Sequence, residues 1–194
     1  RLGKTKLEEV FNQEVILHVC DTGKRRQWYL YRLLSLVVIG QIEKFCRDNI
    51  NERTIELLKN QLGLSENSFV IGYVGRLVKD KGIIELIDAF NVLQKQNINI
   101  KLLLVGMLEE RDSLPKDIIS KIQDNTSIIC TGYVDNSSIE NYYALMDLFI
   151  LPSYREGFPT SILEASSMKL PVVTTKVTGC IDAISHGKTG YFVN

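Results

Sequence analysis

The chain has 194 residues, of which 45% are hydrophobic and 24% are charged, as is usual for a soluble globular protein, and its length suits one domain with an additional segment. Lysine plus arginine equals aspartate plus glutamate at 23 each, so no overall basic field favours nucleic acid as a partner. The 4 cysteines have no Cys-x-x-Cys spacing, which argues against zinc and redox motifs.

Residues 1–50 match the patterns of regular structure poorly. Residues 15–20 form a short apolar run that predicts a strand, and residues 28–39 form a longer run that Arg32 interrupts. The longer run is too short to span a bilayer, although with the basic residues 24–26 beside it, it fits a segment on a membrane surface. A buried helix or strand with a solvated basic edge is the favoured interpretation.

In the rest of the chain, predicted helices and strands alternate. Residues 51–61 predict an amphipathic helix with Ile55, Leu58 and Leu62 on one face, and Gly63 ends it. The predicted strands are residues 70–74, 100–105, 127–130, 148–151 and 172–174, and the predicted helices between them are residues 82–96, 116–122, 137–146 and 159–168. Strands that are apolar on both faces and alternate with helices predict an α/β fold, a Rossmann-like parallel sheet with helices on both faces.

Four of the predicted strands end in glycine or polar residues. Gly75 with Arg76, Gly106, Gly132 and residues 153–156 each follow a strand. Parallel strands that are joined by right-handed crossovers have their carboxyl ends at one edge of the sheet, and ligands bind outside that edge. We therefore expect these segments to converge on a binding site.

The turn between the strand at residues 148–151 and the helix at residues 159–168 carries two carboxylates, Glu156 and Glu164. Pro159 is predicted at the first helical position, where its missing N–H is not needed. The unpaired N–H groups and partial positive charge of a first helical turn suit a phosphate. A sugar nucleotide fits this frame, with its diphosphate on the N–H groups and its sugar and ribose hydroxyls on the two acids.

Two basic residues follow the first strand of the predicted sheet. Arg76 can grip a diphosphate through two hydrogen bonds, and Lys81 adds a point charge. The plainer interpretation is that both are solvated basic residues beside Lys79 and Asp80. Their place on the same sheet edge as Glu156 favours the phosphate.

Together these motifs resemble those of the retaining GT-B glycosyltransferases, especially glycosyltransferase family 4 with its glycosyl transferases group 1 domain. The resemblance runs from about residue 69 to residue 194. The matching elements are Glu156 with Glu164 as the E-x7-E motif, Gly75-Arg76 with Lys81-Gly82, Gly132-Tyr133-Val134, and the tail of residues 179–184 and 187–191. The Asn-Gly-Val/Ile-Asp signature that the family often carries near its interdomain linker is not found in residues 1–50.

The resemblance implies a role for each candidate residue. Glu156 is the carboxylate that binds the donor sugar, Arg76 and Lys81 stabilise the leaving diphosphate, and Glu164 binds both ribose hydroxyls. Four of the remaining donor-binding positions would give backbone N–H groups to the diphosphate: Gly157, Phe158, Thr160 and Ser161. The others are Gly75, beside Arg76, and Tyr133 and Val134 at the base. The plainer alternatives are a surface helix acid for Glu164, a core side chain for Phe158, and a strand-end aromatic pair with Phe149 for Tyr133.

The implied reaction is transfer of a sugar from a nucleotide diphosphate sugar to a hydroxyl acceptor with retained anomeric configuration. The acceptor would be a sugar or a lipid-linked saccharide in capsule, exopolysaccharide or lipopolysaccharide biosynthesis. The protein would be cytoplasmic, with peripheral contact at the inner membrane face, and would need no metal and no cofactor. The alternatives are a sugar-nucleotide-binding module without transfer activity and a GT-B-fold epimerase of sugar nucleotides.

The expected domain organisation is that of half an enzyme. Residues 51–194 would be the C-terminal, donor-binding domain of a GT-B fold, truncated at its C-terminus, and residues 1–50 a linker or a remnant of the N-terminal domain. Because the chain begins with Arg1, we expect it to be a piece of a longer protein. The acceptor-side domain is then missing, so the isolated chain is predicted to bind a donor without transferring its sugar.

Overall fold

The computed structural model describes residues 44–96, 99–109 and 112–193. The strand predicted at residues 15–20 and the apolar run at residues 28–39 lie outside the described residues.

Six parallel strands form one sheet in the order β3-β2-β1-β4-β5-β6. Their bounds are β1 Phe69–Val74, β2 Ile100–Val105, β3 Ile128–Gly132, β4 Leu148–Leu151, β5 Val172–Thr175 and β6 Gly190–Val193. Leu102, Leu103 and Leu104 of β2 are fully buried, as expected for a strand that is covered on both faces. The predicted parallel α/β sheet is therefore confirmed.

The α-helices alternate with the strands along the chain. Their bounds are α1 Glu52–Gln61, α2 Ile83–Gln96, α3 Lys116–Asp124, α4 Ile139–Ala144, α5 Thr160–Ser167 and α6 Thr178–Ile181. The strand order reverses between β1 and β4, so right-handed crossovers place α2 and α3 on one face and the later helices on the other. In agreement, α2 packs beside α3 and α1 packs beside α4.

The first helix shows how local sequence sets its ends. Asn51 precedes α1, and its side chain accepts hydrogen bonds from the backbone N–H groups of Arg53 and Thr54, a cap that stabilises a helix by about 1 kcal/mol. Gly63 follows with φ 66°, a left-handed conformation that ends helices at low cost for glycine. The sequence placed this helix correctly to within one residue.

Three further predicted helices also start later than expected. The helix predicted from Gly82 begins at Ile83, because Gly82 takes a left-handed conformation after the 3-10 turn Lys79–Lys81. The helix predicted from Ser137 begins at Ile139, because the Asp135 carboxylate accepts hydrogen bonds from the N–H and hydroxyl of Ser137, and such a turn competes with helix formation. Pro159 precedes α5 rather than occupying its first position.

Candidate functional site

The loops that follow β1 and β4 meet at the point where the strand order reverses, where ligands bind in open α/β sheets. The N–H of Tyr154 donates to the carbonyl of Asp80 at 3.0 Å. A Cβ at Gly82 would lie 2.1 Å from the carbonyl oxygen of Pro152, so the two loops approach this closely because residue 82 has no side chain. The structure thus brings the predicted Arg76–Lys81 and Glu156 segments together.

Lys81 and Glu156 form an ion pair between these loops. Lys81 Nζ donates to Glu156 Oε1 at 2.8 Å, and the two side chains are 19% and 11% exposed. The hydroxyl of Ser153, which is fully buried, donates to the same oxygen at 2.6 Å. Oε1 therefore accepts two hydrogen bonds, while Oε2 has no partner among the described residues. The arrangement holds the carboxylate in one orientation with one oxygen left to accept from a ligand.

Gly179 supports the backbone at Glu156. Its N–H donates to the carbonyl of Glu156 at 3.2 Å. A Cβ at residue 179 would lie 2.6 Å from the carbonyl oxygens of both Glu156 and Gly157, so the start of α6 packs on this turn only because it carries glycine. Gly179 belongs to the tail motif seen in the sequence, but its contact with the Glu156 turn was not predicted.

Arg76 lies at the surface of the same edge. Its side chain is 59% exposed, and Nη1 is 3.5 Å from Glu109 Oε1, a partner that the sequence analysis missed. The hydroxyl of the buried Tyr73 donates to the carbonyl of Arg76 at 2.8 Å. Burial, together with the nearby carboxylates of Glu156 and Asp80, raises the pKa of Tyr73, so this hydroxyl stays a neutral donor that fixes the turn.

Glycines line the carboxyl ends of β1, β2 and β3. Gly106 has φ 153°, and a Cβ there would lie 1.8 Å from the carbonyl oxygen of Gly75. Gly106 also forms an isolated bridge with Gly132. The three predicted strand-end glycines therefore lie side by side, and Met107, which is 52% exposed, is a neighbour of this row that the sequence analysis did not single out.

The predicted base-binding residues follow β3. Tyr133 is 72% exposed, whereas Val134 is half-buried against the core. Phe149 is fully buried and packs on Tyr143, with ring centroids 5.7 Å apart. The alternative that paired Tyr133 with Phe149 is therefore wrong, because one ring is in solvent and the other is inside the core.

The amino end of α5 presents backbone donors to solvent. The N–H groups of Gly157 and Phe158 donate to no other described residue. The N–H of Thr160 is engaged, since it donates to the carbonyl of Phe158 at 3.0 Å. Phe158 is 59% exposed, so the alternative that placed it in the core is wrong. Ser161, the fourth predicted diphosphate residue, lies in the first turn of α5.

Glu164 lies one turn further into α5 and is half-buried. Its Oε2 accepts a hydrogen bond from the hydroxyl of Tyr143 at 2.7 Å. Burial raises the pKa of the Glu164 carboxyl, while the Tyr143 hydrogen bond and the charge of Lys44 oppose that shift. The alternative of a surface helix acid is therefore wrong, because a surface acid would be neither desolvated nor paired in this way.

Two absences concern the described residues. In residues 44–96, 99–109 and 112–193, no three His, Cys, Asp or Glu side chains are grouped so that they could hold a metal ion. The described helices include no apolar stretch of the length that a bilayer crossing requires. The sequence-based expectations that no metal takes part and that the protein contacts a membrane surface stay predictions.

Comparison with known proteins identifies the family. The family model for glycosyl transferases group 1 matches residues 54–194. The capsular polysaccharide biosynthesis glycosyltransferase CapM of Staphylococcus aureus is 39% identical over 155 residues, which are 79% of this chain and 38% of CapM. The putative teichuronic acid biosynthesis glycosyltransferase TuaC of Bacillus subtilis is 39% identical over 75% of this chain and 34% of TuaC. The chain thus spans little more than a third of these relatives.

Solved structures agree on the fold. The crystal structure of Anabaena HepE in complex with UDP superposes with a TM-score of 0.66 at 28% identity, covering 79% of this chain and 41% of HepE. The C-terminal domain of the group 1 glycosyl transferase LpcC from Francisella tularensis gives 0.58 at 29% identity, covering 65% of this chain and 67% of that domain. The sheet is that of the C-terminal half of a GT-B fold, and the chain belongs to the glycosyl transferases group 1 family.

Proposed function

We propose that the chain is the donor-binding half of a retaining glycosyltransferase of family 4, and that it binds a nucleotide diphosphate sugar at the carboxyl edge of β1 and β4. The observation that carries the proposal is the Lys81–Glu156 pair. It puts a cation and an acceptor oxygen beside the N–H groups of Gly157 and Phe158, which have no partner among the described residues. A diphosphate needs the cation and the N–H groups, and a sugar hydroxyl needs the acceptor oxygen.

The chemistry of this edge is electrostatic. When the bond between the sugar and the diphosphate breaks, negative charge develops on the departing phosphate. Lys81, Arg76 and the N–H groups of residues 157 and 158 are donors that are already in place to stabilise that charge. Glu156 balances Lys81 before the donor arrives, and its Oε2 accepts from a sugar hydroxyl, which orients the ring. In the whole protein, an acceptor hydroxyl would then take the sugar with retained configuration.

The nucleoside would lie along the neighbouring edge. Glu164 has an oxygen, Oε1, without a partner among the described residues, which suits the ribose hydroxyls. The loop with the exposed Tyr133 and the half-buried Val134 follows β3 and would hold the base through backbone groups. The match to HepE, which was crystallised with UDP, supports a nucleoside diphosphate as the ligand.

The acceptor is proposed from the relatives. CapM and TuaC carry names from capsular polysaccharide and teichuronic acid biosynthesis, which supports a sugar or lipid-linked saccharide acceptor in a cell-surface polysaccharide. Cytoplasmic location and contact with the inner membrane face remain expectations from the family resemblance.

Ligand binding is the direct test. Thermal shift followed by calorimetry would compare UDP, ADP, GDP and CDP, each with and without an attached sugar, on the 194-residue chain. We expect one base to give saturable binding, and binding that K81A weakens. A chain that binds none of these compounds would overturn the proposal.

Transfer is tested on the whole protein with a radiolabelled donor and a saccharide acceptor. Labelled acceptor supports the transferase, epimerised donor would indicate an epimerase, and binding with neither would indicate a regulatory module. The 194-residue chain is expected to bind without turnover, since effective catalysis needs both reactants held in position, worth about 7–11 kcal/mol, and its described residues contain one sheet.

A further inference from the structure

A buried tyrosine lies against the carboxylate that is proposed to bind the ribose. Tyr143, in α4, is 0% exposed, and its hydroxyl donates to Glu164 Oε2, in α5, at 2.7 Å. The next acceptor, the carbonyl of Ser161, is 3.4 Å from the same hydroxyl. A hydroxyl has one proton to donate, so the shorter contact to Glu164 takes it.

The Tyr143 ring has little freedom. Phe45 packs edge-on against it with centroids 5.5 Å apart, and Phe149 lies against it at 5.7 Å. Both neighbours are buried, with 2% and 0% exposure. Since close-packed rings keep their rotamers, the hydroxyl is a fixed donor, and the carboxylate oxygen that it contacts is fixed with it.

Fixing one oxygen determines where the other lies. With Oε2 held by Tyr143, Glu164 cannot rotate without breaking that hydrogen bond. Oε1, which has no partner among the described residues, then keeps one position as an acceptor. A carboxylate that is held in this way loses less side-chain entropy when a ligand binds.

We propose that Tyr143 is a positioning residue for Glu164, and that through it the chain discriminates ribonucleotides from 2′-deoxyribonucleotides. The proposal rests on the proposed function, because it assumes that Glu164 meets a ribose. It adds Tyr143 to the site residues. The sequence pattern marks Tyr143 only as a core position, and in this proposal it acts on Glu164 and not on the ligand.

The same hydrogen bond, together with one nearby charge, also affects the protonation of Glu164. The Tyr143 hydrogen bond and the Lys44 ammonium both lower the pKa of Glu164, against the larger effect of burial. The Tyr143 hydrogen bond thus favours the ionised carboxylate as well as orienting it, although burial leaves the pKa of Glu164 raised, and an ionised carboxylate is the stronger acceptor for a hydroxyl.

The test compares affinities for a ribonucleoside diphosphate and its 2′-deoxy analogue, using the base that the wild-type chain binds best among UDP, ADP, GDP and CDP. Tyr143→Phe removes the hydroxyl and keeps the ring. Its matched control is Tyr142→Phe, because Tyr142 is the neighbouring tyrosine of α4, is half-buried, and donates to no described residue. The measured quantity is the ratio of the two affinities, which partial unfolding does not change because it scales both equally.

Y143F is expected to lower the ratio by roughly three- to tenfold, the range for one lost hydrogen bond. Y142F should leave the ratio unchanged, and Glu164→Gln should remove most of the preference for the ribonucleotide over its 2′-deoxy analogue. In the double variant Y143F/E164Q, the affinity ratio should equal that of E164Q alone, because Tyr143 acts on the ratio only through the Glu164 carboxylate. A ratio that Y143F leaves unchanged overturns the proposal while the proposed function stands. A wild-type chain that binds none of the four diphosphates overturns both.

A second measurement applies if Y143F does not fold. In wild-type chain labelled with [ζ-13C]tyrosine, the Tyr143 signal is the one that E164Q displaces. Adding the ribonucleotide should move this signal, and adding the 2′-deoxy analogue should move it less. A signal that responds equally to both ligands, or to neither, overturns the proposal.

Discussion

Lys81 Nζ lies 2.8 Å from Glu156 Oε1, although 75 residues separate them in the chain. The pair joins the loop after β1 to the loop after β4 at the point where the strand order reverses. Both side chains are mostly buried, so removing either partner leaves a charge without compensation in a partly desolvated place. The same two residues that are proposed to bind the donor therefore also hold the two loops of its site together.

Glu156→Gln should separate sugar binding from diphosphate binding. The amide removes a negative charge near the diphosphate and releases Lys81, so affinity for the nucleoside diphosphate should stay equal or rise. Affinity for the nucleotide sugar, relative to the diphosphate, should fall by about 1.5–3 kcal/mol, the range for a hydrogen bond to a charged group. Calorimetry with both ligands measures this. The control is Glu66→Gln, which removes an exposed carboxylate, and equal losses for both ligands would contradict the assigned role.

The two partners of the exposed pair Arg76–Glu109 should have opposite effects on diphosphate binding. Arg76→Ala should weaken it by about 1.5–3 kcal/mol, because a charged donor is lost. Glu109→Gln should strengthen diphosphate binding by up to about 1 kcal/mol, because the substitution releases Arg76 from an exposed ion pair. It also removes a negative charge that repels the diphosphate. Calorimetry at two salt concentrations should show both effects shrinking at high salt. Unchanged affinity in R76A would remove Arg76 from the site.

The alternation of apolar strand segments and amphipathic helix segments in the sequence predicted most of the fold. The run at residues 100–105, which is apolar except for Lys101, predicted β2 without error, since a strand that is buried on both faces needs a largely apolar segment. Errors arose at helix starts such as Ile139, where Asp135 captures the preceding residues through side-chain hydrogen bonds. Such local competition depends on geometry that periodicity does not record.

The site was predicted as a set of residues and not as a set of contacts. Glu156 and Glu164 were found from their spacing, and Lys81 from its motif. Glu109 was missed because it stands in a loop outside any motif, and Tyr143 because an aromatic residue in a helix gives the pattern of a core position. Which carboxylate pairs with which donor depends on how distant loops meet, and single-sequence patterns do not contain that information.

Gly82→Ala should destabilise the chain far more than Gly63→Ala. Both glycines are left-handed, at φ 70° and φ 66°, so each alanine costs about 1–2 kcal/mol of backbone strain. At Gly82 the new Cβ would also meet the carbonyl of Pro152, whereas at Gly63 nothing lies within 4 Å. Overpacking of this kind adds about 1–3 kcal/mol. Urea unfolding measures both variants, and equal losses would show that the two loops can move apart freely.

Ribose selectivity should depend on pH through Glu164. Because burial raises the pKa of this carboxyl above its ordinary value, protonation begins at a higher pH than for an exposed glutamate, and a protonated carboxyl is a poorer acceptor. The affinity ratio between a ribonucleotide and its 2′-deoxy analogue should therefore fall as the pH is lowered from neutral through the raised pKa. Taking the ratio cancels protonation of the diphosphate, which the two ligands share.

Two variants fix the assignment of that pH dependence. Glu164→Gln should give an affinity ratio that is low and does not change with pH. In the wild type the Tyr143 hydrogen bond lowers the pKa of Glu164. Tyr143→Phe removes this bond, so the fall in the ratio should begin at a higher pH. The pKa of Tyr143 itself is raised well above its ordinary value, so its hydroxyl stays protonated throughout. Stability should respond in the opposite sense: a carboxyl with a raised folded pKa stabilises the fold at low pH, and this contribution is lost as the pH rises through that pKa. A wild-type ratio that is flat with pH, or a Glu164→Gln profile that matches the wild type, would show that another group governs ribose recognition.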